Sequence, residues 1–252
     1  MKLQDAAQRL GVHYQTVYGW VRAGALPATK LGRGYQVSEA DLRRFESDRS
    51  TGQPPSAAVQ VRDWNKQAKR LSAALASGNE QLARRQIDRL TTGQVPVIDL
   101  CTRLLTPALA EIGDAWAAGR MSVAEEHRAS AICERLLAPL AQPQPGRPRG
   151  VAVVSTPPGE QHGLPALMAV AALREDHWVV HHLAANVPLD DLAELAEQVA
   201  ANLVVLTTST SGPLNAGPEL HALSARLSNV RVLIGTPGAS LHTLLASARS
   251  HT

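Results

Sequence analysis

The sequence predicts a multi-domain chain: a winged helix-turn-helix, then a four-helix bundle, then an α/β unit on a parallel sheet. Three observations predict it. Two short helical patterns around Gly11 open the chain, and a Gly-Arg-Gly hairpin signal follows them. Four longer helical patterns with short connections fill the middle. After Gly150, short apolar runs alternate with amphipathic helical stretches. A length of 252 residues is also too great for one small domain.

Composition narrows the classes. Aromatic residues make up 3% of the chain while Ala, Leu and Val are abundant, so the cores are expected to be aliphatic and helix-rich. A net charge of +3 implies no general polyanion-binding surface, and any basic patch must be local. Cys101 and Cys133 fall inside apolar helical patterns, which excludes a disulfide framework. No signal-peptide pattern opens the chain, and no apolar run nears the roughly 20 residues of a membrane span. A soluble, cytoplasmic protein without membrane partners is expected.

Residues 3–23, LQDAAQRLGVHYQTVYGWVRA, predict two short helices around a tight turn. Asp5 suits the first turn of the first helix, and Ala7, Gly11 and Val17 sit where close approach, a left-handed turn residue and an aliphatic lock are needed. Two extended segments around Gly32-Arg33-Gly34 predict a hairpin or wing, and Ser38 with Asp41 caps a further helix. No acidic residue lies between Ala6 and Ser38, whereas Arg9, Arg22, Lys30 and Arg33 are basic. Tyr14, Gln15, Thr16 and Tyr18 open the second helix, where recognition helices meet base edges. Arg22, Lys30, Arg33 and Tyr35 are better placed for phosphates or the minor groove. A helical hairpin serving protein contacts is the plainer alternative; the acid-free run and the wing favour double-stranded DNA. The segment closely resembles the head of MerR-type regulators over most of residues 1–48. One such module neutralises about four phosphates, so strong operator binding needs two or more on one duplex. A homo-oligomer, dimer or tetramer, is expected.

Residues 49–60, RSTGQPPSAAVQ, are aperiodic and rich in Ser, Pro and Gly, and predict a tether. The bundle spans 61–142: helices over Trp64–Ala76 and Glu80–Thr91, a third from Val97 to Ala118, and a fourth from Ser122 to Leu140. Ile98, Cys101, Leu105, Ala108, Leu109, Ile112 and Trp116 form one apolar stripe on the third. Pro107 is expected to bend it, having no backbone donor. Trp116 alone reads as a core or interface residue, and Glu126-His127 as a solvated face. Together they fall at one end of the bundle, on a surface able to cap another domain.

The α/β unit spans 150–252. Val151–Val154 is a β-branched run of the kind buried on both sheet faces, and Leu164, Leu167, Met168 and Ala171 set a helix behind it. Glu160 and His162 lie between them, at the carboxyl end of the strand where open α/β sheets bind ligands. A solvated loop histidine is the plain reading. The chemical one is an imidazole donating a lone pair to a metal, its tautomer fixed by the carboxylate. Further strands are expected at Trp178–Leu183, Leu203–Leu206 and Arg231–Gly235. Helices are expected at Leu189–Ala200, capped near Asp190, and at Pro218–Leu227. No fifth strand is legible after Gly235. His181-His182 alternate across a strand and read as structural.

Trp116, then Glu126-His127, a Pro/Gly-rich linker and Glu160-Gln161-His162 together resemble the cobalamin-binding module, which pairs a helical cap with a Rossmann-like (flavodoxin-like) domain. With the MerR-type head, the whole chain resembles the CarH/LitR group of B12-dependent photoreceptor repressors. The resemblance implies adenosylcobalamin, or another cobalamin, as cofactor. It makes His162 the lower axial cobalt ligand with Glu160 supporting it, and places Trp116, Glu126 and His127 around the upper face. Thr207 would stand beside the buried nucleotide tail. It implies a DNA-bound oligomer that light takes apart by breaking the cobalt–carbon bond. The chain departs from the family pattern at Pro165, where glycine is usual, at Thr207-Thr208-Ser209 in place of Ser-x-Leu, and at Gly235-Thr236 in place of Gly-Gly. Ala117 stands where light-sensing members can carry histidine. The expectation is therefore a cobalamin-controlled transcriptional repressor. The alternative is a MerR-type regulator whose eroded sensor works without the cofactor, through protein contacts or another ligand. A third reading, a corrinoid methyl carrier, is opposed by the DNA-reading head. No Ser/His/Asp or paired-carboxylate arrangement points to an enzyme.

Overall fold

The computed structural model describes residues 1–10, 12, 14–22, 26–31, 34–50, 61, 63–209, 218–236 and 238–250. Two compact units partition the chain: residues 1–64 with 85–96, and residues 65–84 with 97–252.

The first unit opens with α1 (Leu3–Arg9) and α2 (Tyr14–Arg22). Strands β1 (Thr29–Leu31) and β2 (Gly34–Gln36) follow and pair antiparallel, Lys30 opposite Tyr35, and α3 (Glu39–Ser50) completes the head. Asp5 accepts from the Lys2 amide at 3.1 Å, placing its carboxylate at the positive end of α1. The Ser38 hydroxyl accepts from the Asp41 amide at 3.0 Å and caps α3. Ala7 and Val17 are buried with Leu3, Leu26, Leu42 and Phe45, so the small residue and the aliphatic lock do what their spacing predicts. Helix α3 runs to Ser50, two residues into the expected tether, and residues 51–60 lie outside the described residues.

Helices α4 (Trp64–Ala76) and α5 (Glu80–Thr92) meet at Ser77-Gly78-Asn79, where Gly78 takes a φ of +72° that a side chain would strain. The third helical run differs from expectation. It consists of α6 (Val97–Asp99), a π-helical stretch over Leu100–Leu105, and α7 (Thr106–Ala117). The Thr106 amide reaches back to the Cys101 carbonyl, one residue further than in an α-helix. This wide turn directly precedes Pro107, which then sits in the first turn of α7 where its missing donor costs little. The irregularity in the run lies directly before Pro107. Helix α8 (Val123–Leu137) starts from a reciprocal cap: the Ser122 amide donates to Glu125 at 2.8 Å and the Glu125 amide donates back to Ser122. Arg128 and Arg135 of α8 bind the Ala76 carbonyl and the Glu80 carboxylate, holding α8 across the α4–α5 corner.

The sheet has four parallel strands in the order β4-β3-β5-β6: β4 (Val179–His182), β3 (Val151–Ser155), β5 (Leu203–Thr207) and β6 (Arg231–Gly235). Every residue of β5 is buried, as a strand covered on both faces must be. Helices α9 (Leu164–Glu175) and α12 (Leu241–Arg249) pack on one face with Val154, Leu203 and Val205. On the other face, α10 (Leu189–Gln198) and α11 (Pro218–Arg226) pack with Val153, Val204 and Leu206. Pro188, not Asp190, occupies the cap position of α10, and Asp190 lies in its first turn. From β3 the chain passes over one face to β4, then returns over the other to β5. The strand order therefore reverses between β3 and β5, and the loops leaving these two strands flank the crevice where such sheets bind ligands.

Helix α9 joins the sheet to the bundle. Its Glu175 carboxylate accepts from the Val97 and Ile98 amides at 2.7 and 3.3 Å, and the Thr106 hydroxyl lies 3.8 Å from the Met168 sulfur. The run from Val97 to Thr106 is thus antiparallel to α9.

Candidate functional site

The loop after β3 is built to hold one carboxylate and one imidazole. In Pro157-Pro158-Gly159-Glu160 the Glu160 amide donates to the Pro157 carbonyl at 3.1 Å, and Gly159 takes a φ of +83° that only glycine adopts without strain. The Thr156 hydroxyl donates to the Glu160 carbonyl at 2.6 Å and accepts from the Asn186 amide at 2.8 Å. The Asn186 side chain in turn accepts from the Gly159 amide at 2.8 Å. The Glu160 backbone is thereby pinned from both sides.

Glu160 is only 7% exposed, yet its carboxylate has four donors. Oε1 accepts from the His162 amide at 2.8 Å and meets the His162 ring at Nδ1 at 2.6 Å. Oε2 accepts from the Ser209 amide at 2.7 Å and from its hydroxyl at 2.8 Å. Burial alone would raise this acid, but the hydrogen bonds from Ser209 and His162 together outweigh it and hold it at about 2. An ionised carboxylate only accepts, so the Nδ1 of His162 must carry the ring proton. Ser209 Oγ, 2.8 Å from the same nitrogen, gives its own hydrogen to Glu160 and shares that proton as an acceptor. The lone pair is then confined to Nε2, and the side chain is 68% exposed. Ser209 was not foreseen. It lies 47 residues from His162 and arrives only because β5 pairs with β3, Leu206 opposite Ser155. The run Thr207-Thr208-Ser209 holds no other signal of its role.

The expected upper residues lie at the junction of α7 and α8. Trp116 is 50% exposed, an unusual state for an indole. Glu126 repeats the arrangement of Glu160: one oxygen meets His127 Nδ1 at 2.8 Å and the other accepts from the Ser130 hydroxyl at 2.7 Å. Thr207 closes β5, buried, and its hydroxyl has no partner among the described residues. A side chain at Gly235 would press on the Thr207 methyl at 3.3 Å, so the packing of the threonine against the next strand depends on the glycine.

These residues fit a corrinoid. Among the described residues no cluster of three or more His, Cys, Asp or Glu could hold a bare metal ion. A single tautomer-locked imidazole suits a metal that brings its own equatorial donors and needs one axial ligand. The orphaned Thr207 hydroxyl suits a polar group entering from outside. Pro165 does not oppose this, because it falls in the first turn of α9, where the amides lack helical partners anyway.

In the head, Tyr14 and Thr16 are exposed. Tyr18 is half-buried, stacked on Tyr14 with ring centres 6.1 Å apart and meeting Tyr35 edge-on at 6.1 Å. Arg9 is paired with Glu39 at 2.9 Å, which removes it from the basic patch. Arg33 and the side chains of Gln15, Arg22 and Lys30 lie outside the described residues.

Sheet, bundle and head define the architecture: an α/β unit and a helical bundle in a chain that opens with a helix-turn-helix. Residues 1–50 match the family model of a helix-turn-helix domain, and residues 67–140 that of the B12 binding domain. The chain is 30% identical over 118 residues to the HTH-type transcriptional repressor CarH of Myxococcus xanthus, covering 46% of this chain and 39% of that one. It is 28% identical over 180 residues to the HTH-type transcriptional repressor CarA of the same organism, covering 69% and 56%. The chain thus spans from about two-fifths to just over half the length of these relatives. The monomethylamine corrinoid protein of Methanosarcina barkeri shares the fold, with a TM-score of 0.55 at 16% identity over 71% of this chain and 87% of that one. Among the described residues no helix is long and apolar enough to cross a membrane.

Proposed function

We propose that the chain is a DNA-binding transcriptional repressor, not an enzyme, whose DNA-bound assembly is controlled by adenosylcobalamin. One observation carries the reading: the imidazole of His162 has Nδ1 held by Glu160 and Ser209 and presents Nε2 to solvent at the switch point of the sheet. Bound adenosylcobalamin supplies a cobalt ion within its own ring and a light-sensitive cobalt–carbon bond. His162 would hold the cobalt, Glu160 and Ser209 would fix its tautomer, and Thr207 with Gly235 would border the nucleotide tail. Trp116, Glu126 and His127 would meet the cofactor from the bundle. Tyr14, Gln15 and Thr16 read bases, while Arg22, Lys30, Arg33 and Tyr35 hold phosphates. Two carboxylate-locked imidazoles, one on the bundle and one on the sheet, support a ligand approached from both.

The test is spectroscopic. The full chain incubated in the dark with adenosylcobalamin is expected to retain it through gel filtration with an altered spectrum, and His162→Ala to lose the spectral change. DNA binding measured by mobility shift is expected to fall after green light. No retention by the wild-type chain would remove the cofactor from the reading and leave a DNA-binding head with another input.

A further inference from the structure

The loop that carries His162 is gripped from both sides. In the sheet, β3 lies between β4 and β5, so the loop leaving β3 has a neighbour on each flank. On the β5 flank, Ser209 holds the Glu160 carboxylate through its amide and its hydroxyl. On the β4 flank, residues 183–187 hold the backbone. The Ser155 hydroxyl donates to the Ala184 carbonyl at 3.1 Å, and the Val187 amide donates to the Thr156 carbonyl at 3.3 Å. Asn186 makes two further bonds: its amide donates to the Thr156 hydroxyl, and its side-chain oxygen accepts from the Gly159 amide, both at 2.8 Å. A side chain at Gly163 would meet the Ala185 methyl at 3.9 Å, so this segment also borders the residue after His162. Ala184 and Asn186 are both left-handed, with φ of +59° and +60°. Asparagine tolerates that region and alanine far less readily, so the surrounding bonds must hold the turn in place.

We propose that Asn186 is a positioning residue for the cobalt ligand: from a strained turn on the neighbouring loop it fixes Gly159, and through Gly159 the place at which His162 presents Nε2. This rests on the cobalamin reading of His162 and adds a residue to it. The Glu160 amide donates to the Pro157 carbonyl and the His162 amide to the Glu160 carboxylate, so both bonds stay within the loop. Such internal bonds set the shape of the loop and move with it. The Gly159 amide reaches outside, and its bond sets where that shape stands against the sheet. Gly159 is also the swivel. Pro157 and Pro158 before it each have a fixed φ, whereas glycine turns freely, and His162 lies three residues beyond. The Asn186 amide acts on the same turn a second time, by orienting the Thr156 hydroxyl that donates to the Glu160 carbonyl at 2.6 Å. Asn186 is itself exposed, so its bonds add little to the core and act on placement. Metal–ligand distances are held to about 0.2 Å, so even a small drift of the ring weakens the bond.

The test uses the full chain in the dark and two substitutions that leave the turn intact. Asn186→Gly keeps the left-handed backbone and deletes the acceptor, whereas Asn186→Asp keeps both. In the free protein, Asn186→Gly is expected to speed hydrogen exchange at the Gly159 amide, followed by nuclear magnetic resonance, with a melting temperature near that of wild type. On titration with adenosylcobalamin it is expected to bind about tenfold more weakly, as loss of a group supporting a ligand histidine does. Part of its bound cofactor is expected to show the yellow spectrum of cobalt without a lower nitrogen, where wild type shows the red one. Asn186→Asp is expected to match wild type in exchange, affinity and spectrum. A residue needed only for folding would lower the melting temperature and leave the spectrum red. If wild type binds and Asn186→Gly binds as tightly and stays red, the proposal is overturned and the cobalamin reading stands. An Asn186→Asp chain that behaves like Asn186→Gly overturns it equally. A wild-type chain that binds no adenosylcobalamin overturns both.

Discussion

Glu160 and His162 are joined twice: one carboxylate oxygen accepts from the His162 amide at 2.8 Å and meets its ring nitrogen Nδ1 at 2.6 Å. The first bond fixes the backbone that carries the ring, and the second fixes which nitrogen keeps the proton. A loop histidine bound only at its ring would still swing with its backbone. Here both freedoms are removed before any ligand arrives, so little ordering cost falls on binding.

Replacing Glu160 by glutamine keeps the shape and removes the charge. The amide no longer forces the proton onto Nδ1, and the Nε2 lone pair is no longer guaranteed. Adenosylcobalamin affinity, read by spectral titration, is expected to fall about 10- to 100-fold, the usual loss when a group supporting a ligand histidine is removed. Ser209→Ala should act in the same direction and less strongly. Unchanged affinity in both would mean that the carboxylate does not orient the ring.

Acid should release the same latch. Glu160 sits near 2, below its ordinary value of 4.5, because Ser209 and His162 overcome the effect of burial. A lowered acid contributes stability that is present above 4.5 and lost as pH falls from 4.5 through about 2. The difference in melting temperature between wild type and Glu160→Gln is therefore expected to be full at neutral pH and to shrink across that window. A difference that is constant from neutrality down to pH 2 would contradict the charge-based account.

In the head, charge and shape should separate. Arg33→Ala is expected to weaken binding to all sequences alike and to lower the salt slope by about 1, as loss of one phosphate contact does. Changes at exposed Thr16 should instead redistribute preference among sequences. Tyr18→Ala is expected to lower the melting temperature of the head, because its half-buried ring packs between Tyr14 and Tyr35. An Arg33→Ala protein with an unchanged slope would place the wing away from the backbone.

Local signals made the fold legible. The β-branched run at Val151, the 3.6-residue spacing behind Leu164 and the Ser38 and Ser122 caps each depend on near neighbours, and the elements begin within a residue or two of where the pattern puts them. What depends on distant strands was not legible. Ser209 joins Glu160 across 49 residues through the β3–β5 pairing, and no spacing encodes that. The π-helical turn before Pro107 was half legible: the missing donor was plain, whereas its displacement one turn earlier depends on how the run packs along α9.

Thr207 gives the sharpest separation of stability from binding. Its hydroxyl is buried without a partner among the described residues, and an unsatisfied buried hydroxyl costs about 1–3 kcal/mol relative to one that is paired. Thr207→Val keeps the branched shape against Gly235 and deletes that unmet demand. Without ligand, the variant is expected to be more stable by about 1 kcal/mol in urea unfolding. With adenosylcobalamin the order should reverse, because the wild-type hydroxyl finds its partner in the entering nucleotide tail and the valine cannot. Loss of one such hydrogen bond corresponds to roughly a tenfold weaker Kd. A variant that gains stability and binds as tightly as wild type would mean that the tail never reaches the end of β5. Its place beside Gly235 would then have to be given up, while the His162 contact would stand on its own test.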